Sequence, residues 1–158
     1  MLYSTFYLNE NLMALSIPSI LEIGRSFKVH PVRGASEVID GLINLRGKVI
    51  TIINTGLAFG GEKVKQSEDS RIFILKSNQE LTEVSDENYN FRTSVDNIGI
   101  HVNKISEVIE VQNSELLPVP AHAYHPYYKN VIRYNEHFIS ILEPERLLNL
   151  NENKELSS

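Results

Sequence analysis

Cysteine and tryptophan are both absent from this sequence. Without cysteine there are no disulfides and no thiolate metal ligands, and a bacterial-type cytoplasm is the expected location. No run of about 18 apolar residues occurs, so no helix is expected to cross a membrane. The first residues, "MLYSTFYLNENL", lack a basic stretch leading into an apolar one, so no secretory leader is expected. Positive charge is scarce, with 15 Lys and Arg against 20 Asp and Glu and a net charge of −5. Nucleic acid is a poor fit to that balance, because phosphate binding needs clustered cations and these are scattered along the chain. Long helical periodicity is missing as well.

What is present is a series of short, β-branched apolar runs. Residues 4–8, 12–17, 49–54, 71–76, 97–102, 107–111, 130–134 and 137–142 each read as strands, separated by turn residues. The polar steps 9–11, 46–48 and 134–137 read as tight hairpin turns. Short helices are expected only at "SILE" (19–22), where Ser and Glu have capping-box spacing after Pro18, and at "EPERLLNL" (143–150). Residues 77–97 are polar and aperiodic and read as a long surface loop, and 151–158 as a polar tail. A chain of 158 residues with this pattern is mainly β, as one compact unit or two small ones sharing an interface.

The chain also resembles itself. With "LSIPSILEI" (15–23) set over "IHVNKISEV" (100–108), Leu15 meets Ile100, Ile17 meets Val102, Ile20 meets Ile105, Glu22 meets Glu107 and Ile23 meets Val108. With "GLINLRGKVITII" (41–53) over "NVIRYNEHFISIL" (130–142), Leu42 meets Val131, Val49 meets Phe138, Ile50 meets Ile139 and Ile52 meets Ile141. The offset shifts by about four positions between the blocks, which one loop insertion absorbs. Two copies of one small β-unit, each too small to bury a large core alone, are expected to pack together.

Within the repeat, Arg46-Gly47 falls at a hairpin tip. Gly47 can take a positive φ without steric cost, as such a tip requires, and Gly41 can serve a second bend. Arg46 is either a solvated turn charge that satisfies nearby carbonyls, or a forked donor that meets a carboxylate and holds an interaction surface in shape.

The segment "GLINLRGKVITIINT", with "LSIPSILEI" before it and "GIHVNKISEVIEV" and "HFISILEPERLL" after it, resembles the CheW-like domain of bacterial chemotaxis over roughly residues 3–150. Gly41, Asn44, Leu45, Arg46, Gly47, Val49, Ile52 and Ile53 match the family's G-x-x-N-L-R-G step and the strand that follows it. Ile17, Ile20, Glu22 and Ile23 match the first block, and Gly99, Ile100, Val102, Ile105, Glu107 and Val108 the second. The chain departs from the family pattern at Thr51, Asn54, Thr55 and Asn103, with the strand pattern left intact.

The resemblance implies two small five-stranded SH3-like β-barrels packed on a shared core by a pseudo-two-fold, with a short C-terminal helix. Residues 1–150 would form this single domain. Barrel one would be built around 12–76 and barrel two around 97–142, with the terminal segments closing them. It further implies a non-catalytic adaptor without cofactor or metal, associated with membrane receptor arrays through its partners. Those partners would be the regulatory domain of the histidine kinase CheA and the cytoplasmic tip of chemoreceptors, with no nucleic acid and no direct membrane insertion. A fold that pairs with relatives also has the means for weak self-association. Ile17, Ile20, Glu22, Ile23, Gly41, Asn44, Arg46, Gly47 and Ile100 are the expected partner-binding residues. Ile20 is the first choice for an apolar contact, and a buried aliphatic contact of that kind is worth about 1.5–3 kcal/mol. The alternative is a CheW-like scaffold serving a dedicated non-chemotactic signalling or motility pathway.

Other chemistry finds little support in the residues. His122 and His125 in "HAYHPYY" have no nearby third ligand, and Pro126 follows at once, so an aromatic surface loop is the better reading. "GLAFGG" (56–61) lacks the Lys-Ser/Thr of a phosphate loop, and "ENYNFR" (87–92) carries too little charge for a nucleic-acid platform. Tyr124, Tyr127 and Tyr128 are expected to cap the barrel interface rather than stack a ligand. A small enzyme or ligand-binding module would need a polar pocket of perturbed ionisable groups, and no stretch of sequence marks one.

Overall fold

A computed structural model describes residues 1–84, 92–121 and 126–148. Ten strands make up most of it. They are β1 (Leu2–Leu8), β2 (Asn11–Ser16), β3 (Ile20–Gly24), β4 (Ile39–Leu45), β5 (Lys48–Asn54), β6 (Arg71–Leu75), β7 (Ile98–Val102), β8 (Lys104–Glu110), β9 (Tyr128–Tyr134) and β10 (His137–Leu142). Three short helices follow β5, β6 and β10: α1 (Thr55–Ala58), α2 (Asn78–Val84) and α3 (Pro144–Leu148).

The strands form two five-stranded sheets, ordered β3-β6-β7-β5-β4 and β8-β1-β2-β10-β9. The repeat turns one order into the other: β1 and β2 correspond to β6 and β7, β3 to β8, and β4–β5 to β9–β10. The correspondence holds residue by residue. In the parallel pair β5–β7, Thr51 faces Ile98 and Ile52 faces Gly99. In the parallel pair β10–β2, Ser140 faces Met13 and Ile141 faces Ala14, which are the positions the alignment of the two halves matches to them. Hairpin β4–β5 pairs Ile43 with Ile50, and β9–β10 pairs Ile132 with Ile139. The ladder slips at equivalent places too, between Ile39 and Gly41 on β4 and beside Asn130 on β9.

The sheets cut across the chain's halves. The first takes β3 to β7, an unbroken stretch of sequence. The second joins β1 and β2 to β8, β9 and β10. A division into 12–76 and 97–142 therefore differs from how the strands sort, because β2 pairs with β10 and β7 pairs with β5. Neither sheet is a closed barrel, since its two outer strands are not bonded to each other. Each nevertheless curls on a core of its own. Ile43, Ile50, Ile52, Ile72 and Ile74 fill one. Tyr3, Ala14, Ile109, Ile132, Ile139 and Ile141 fill the other, drawing on both outer strands β8 and β9. A third cluster lies between them and takes Phe6, Met13, Leu15, Phe73, Ile100 and Leu142 from both sheets and Leu147 from α3. Phe6 and Phe73, equivalent-facing aromatics of β1 and β6, meet there with ring centroids 5.3 Å apart. Tyr127 and Tyr128 pack on Phe59 at 5.1 and 5.5 Å, part of or against this shared core. Burial pushes both phenols above their ordinary pKa, and a hydrogen bond with Ser140 offsets part of this for Tyr128. Tyr124, His122 and His125 lie outside the described residues, as do 149–158 and most of "ENYNFR".

Two local expectations are corrected. "SILE" is not a helix. Pro18 opens a single 3-10 turn at Ile17–Ser19, and Ile20 begins a strand. Ser19 caps nothing: it is buried, and its hydroxyl donates to the Ser16 carbonyl at 2.7 Å. The β-branched Ile20 and Ile23 then favour extended backbone. Conversely, the polar stretch after β6 holds α2. Ser77 and Glu80 cap it reciprocally: the Ser77 N–H donates to Glu80 Oε1 (2.9 Å), and the Glu80 N–H donates to Ser77 Oγ (3.3 Å).

Candidate functional site

The β4–β5 hairpin turns on two residues with positive φ, Arg46 at 51° and Gly47 at 86°. This is the backbone that matches the right-handed twist of the flanking strands. Asn44 braces it, its side-chain carbonyl accepting from the Gly47 N–H at 2.9 Å. Further down the strand, Gly41 is buried at φ 148°, and a Cβ there would lie 2.2 Å from the His30 carbonyl oxygen. That close approach exists because His30 pairs with Leu42 through two backbone bonds of 2.8 and 2.9 Å and covers the outer edge of β4. Asn44, Gly47 and Gly41 thus shape the hairpin from within.

Arg46 does more than turn the chain. Its Nη2 reaches Glu22 Oε2 at 3.1 Å. Glu22 lies on β3, at the opposite edge of the same sheet, so the pair ties the two margins of the curled sheet together. Arg46 keeps 73% of its side chain exposed, against 31% for Glu22. At that exposure an ion pair contributes at most about 1 kcal/mol to stability. Its effect is on shape, since it fixes where β3 stands relative to the hairpin tip.

β3 is the apolar part of the surface. Its pairing with β6 slips between Ile20 and Glu22. Burial nevertheless alternates along β3, so Leu21 and Ile23 share its outer face and are 39% and 40% exposed. Ile20 is half-buried against the shared core, and Ile17 is half-buried in the 3-10 turn that precedes it. Of the nine expected residues, Ile17, Ile20, Glu22 and Ile23 occupy this edge, and Glu22 meets Arg46 there. Gly41 acts through the backbone alone. Ile100 is a correction: it is completely buried in the central cluster, on the third strand of its sheet, and offers no surface to a partner.

Exposed apolar residues outside that set include Leu21, Val95 (84%), Val108 (56%) and, at equivalent positions on β5 and β10, Val49 (71%) and Phe138 (64%). The sequence carried a signal for the last two. Ile50 and Ile139 are core residues, and neighbours on a strand point to opposite faces, so Val49 and Phe138 have to face out.

A buried polar cluster sits behind the hairpin. Asn54, fully buried, donates to Asp40 Oδ1 (3.0 Å) and to the Val64 carbonyl (2.8 Å). Its own carbonyl accepts from Val64 (3.0 Å) and Leu57 (3.3 Å). Asp40 Oδ2 meets His101 Nδ1 at 2.8 Å. Among the described residues no group of His, Asp and Glu has the arrangement of a metal site.

Compared with known proteins, residues 3–152 match the CheW-like domain family. The chain belongs to the CheW-like domain family. It is similar to the chemotaxis protein CheW of Helicobacter pylori (strain ATCC 700392 / 26695), with 25% identity over 115 residues, or 73% of this chain. The match spans 60% of that relative's length. It also resembles the crystal structure of the scaffolding protein TtCheW from Thermoanaerobacter tengcongensis. There the TM-score is 0.77 and the identity 25%, with 92% of this chain and 90% of that one covered. The CheW-like departures at Asn54 and Asn103 are absorbed inside the fold. Asn54 holds the buried cluster, and Asn103 Oδ1 accepts from the Asn9 N–H at 2.6 Å. No described helix of this CheW-like chain is long and apolar enough to cross a membrane.

Proposed function

We propose that this chain is a non-catalytic adaptor that couples the cytoplasmic tip of chemoreceptors to the histidine kinase CheA. The match to the CheW-like family over residues 3–152 carries the reading. The surface supports it in kind. An apolar edge strand with Leu21 and Ile23 exposed, held in place by the Glu22–Arg46 pair, suits a binding function spread over a surface. β3 pairs with β6 alone and β8 with β1 alone, so each sheet keeps one strand edge for a partner. The protein then works in the cytoplasm, drawn to receptor arrays by what it binds.

The test is a titration against the isolated regulatory domain of the host's CheA, followed by heat or anisotropy, with Ile23→Asp and Arg46→Ala in parallel. Micromolar binding by the wild type is expected. Ile23→Asp is the cleaner probe of an apolar contact, because Ile20 also packs on the core. A loss of binding with native circular dichroism assigns the β3 edge to the kinase. Unchanged binding in both variants assigns that edge to the receptor instead. No binding by the wild type would sink the CheA assignment and favour a scaffold of a dedicated pathway.

A further inference from the structure

Four cations of this net-acidic chain gather around one cleft of about 320 Å³. Arg25 comes from the segment after β3, Lys63 and Lys65 from the segment after α1, and Arg71 from the start of β6. Arg71 is held to the backbone, donating to the Glu68 and Ser70 carbonyls at 2.7 and 2.8 Å. Arg25, Lys63 and Lys65 are exposed, and none has an ion-pair partner among the described residues. The wall between them carries His101, whose side chain is only 8% exposed. Its Nδ1 is committed to Asp40. A carboxylate only accepts, so Nδ1 carries the proton of that bond and Nε2 is the ring nitrogen left for the cleft. Nε2 has no protein partner among the described residues. Nε2 therefore offers the cleft a hydrogen-bond acceptor.

The acid in the cleft does not oppose an anion freely. Both Asp40 oxygens are already bonded, one to His101 and one to Asn54. The rest of the lining joins the apolar Phe27, Val29, Val64 and Ile72 to the neutral polar Gln66 and Ser70. The volume lies at the lower end of the range for small-ligand sites, too confined for a stretch of acidic peptide and the wrong charge for a metal ion.

We propose that this cleft binds a compact organic phosphate, its oxygens held by Lys63, Lys65 and Arg25, its protonated oxygen donating to His101 Nε2, and its apolar body against Phe27. Forked and point-charge donors around one oxyanion are the chemistry that favours phosphate. The proposal stands apart from the adaptor reading, and neither test depends on the other.

The test is a heteronuclear NMR titration of the whole chain with phenyl phosphate, with benzoate, inorganic phosphate and octaglutamate as parallel arms. Saturable shifts of the His101 ring and of the Arg25, Lys63 and Lys65 amides are expected, with phenyl phosphate tighter than benzoate or inorganic phosphate. The double variant Lys63→Gln/Lys65→Gln lies on the surface and keeps the fold, and should weaken binding about tenfold. His101→Asn keeps a donor for Asp40 but removes Nε2, and should weaken it by about fivefold. The amide spectrum of each variant reports whether the fold is kept. No saturable shift at His101, or unchanged affinity in the lysine variant, overturns the site. Benzoate binding as tightly as phenyl phosphate overturns the phosphate class. Octaglutamate saturating the same resonances at lower concentration overturns the small-ligand reading in favour of an acidic protein segment.

Discussion

Hairpins β4–β5 and β9–β10 share register, slip position and turn backbone, with positive φ at Arg46 and Gly47 in one and at Asn135 and Glu136 in the other. They differ in what is attached to that frame. The first has a glycine at the second turn position, an ion pair from its tip to the far edge strand, and a fully buried asparagine at its end. The second has Glu136, with φ 66°, where the first has Gly47. Glu107 stands where the first half has Glu22, and Glu143, paired with Arg146 at 2.9 Å, where it has Asn54. The backbone plan therefore needs only the apolar alternation, which both copies keep. The side chains that specialise a surface are added without disturbing it.

Substitutions in matched positions break this comparison in graded steps. Gly41→Ala drives a Cβ into the His30 carbonyl and should cost more than about 3 kcal/mol. Its counterpart Asn130→Ala loses only a 3.3 Å bond to the Leu117 carbonyl and should cost under about 1 kcal/mol in the same urea titration. Asn54→Ala leaves Asp40 and the Val64 backbone short of partners and should cost about 2–3 kcal/mol. Glu143→Ala, on the equivalent position, should cost under about 1 kcal/mol, and equal losses would refute the asymmetry. Gly47→Ala should cost about 1 kcal/mol for its φ alone, and Glu136→Gly should gain about 0.5 kcal/mol by relieving the same conformation. Arg46→Ala should change the unfolding midpoint very little while altering partner affinity, whereas Asn135→Ala should alter neither.

The smallest effect concerns the connection between β6 and β7. Its counterpart between β1 and β2 is the two-residue turn Asn9-Glu10, while this one carries α2. Partial burial works to raise the Glu80 carboxyl. Bonds from the Ser77 backbone, from Asn97 and from the Ser77 side chain, with the charge of Lys48, outweigh it and hold the group below its ordinary value. A depressed carboxyl contributes stability that is present above its unfolded pKa and lost as pH falls through the folded one. Amide exchange in α2 should therefore accelerate on acidification below the ordinary carboxylate range. Glu80→Gln should flatten that dependence without touching the hairpins, and an unchanged pH profile would contradict the cap.

Most of the strand plan was legible because period-two alternation and the internal match are properties of local sequence. The match of Ile52 with Ile141 reappears in the structure, where both face equivalent residues in the two parallel pairs. The sequence misled where one local signal had two readings. Ser and Glu at capping-box spacing occur at 19–22 and at 77–80, and only the second caps a helix, because Ser19 is drawn inward to Ser16. Site residues were harder to read. Arg46 and Glu22 were each nominated, but their meeting depends on sheet curvature, a long-range property. Ile100 was nominated by the same match that buries it, because a repeat preserves core residues at least as faithfully as surface ones. The cationic cleft was hidden for a related reason: its members come from four separate segments, and only the fold brings them together.

The way the sheets divide the chain also sets an order of events. The sheet of β3 to β7 uses a continuous stretch and has all its strands once residue 102 has left the ribosome. The hairpin β1–β2 emerges first yet must wait for β10, whose Ser140 and Ile141 line up with Met13 and Ala14. During synthesis the N-terminal hairpin is thus a half-finished template with an open edge. Its completion depends on β10, far along the sequence from it, so the slow step of folding should be the return of hairpin β9–β10 to hairpin β1–β2.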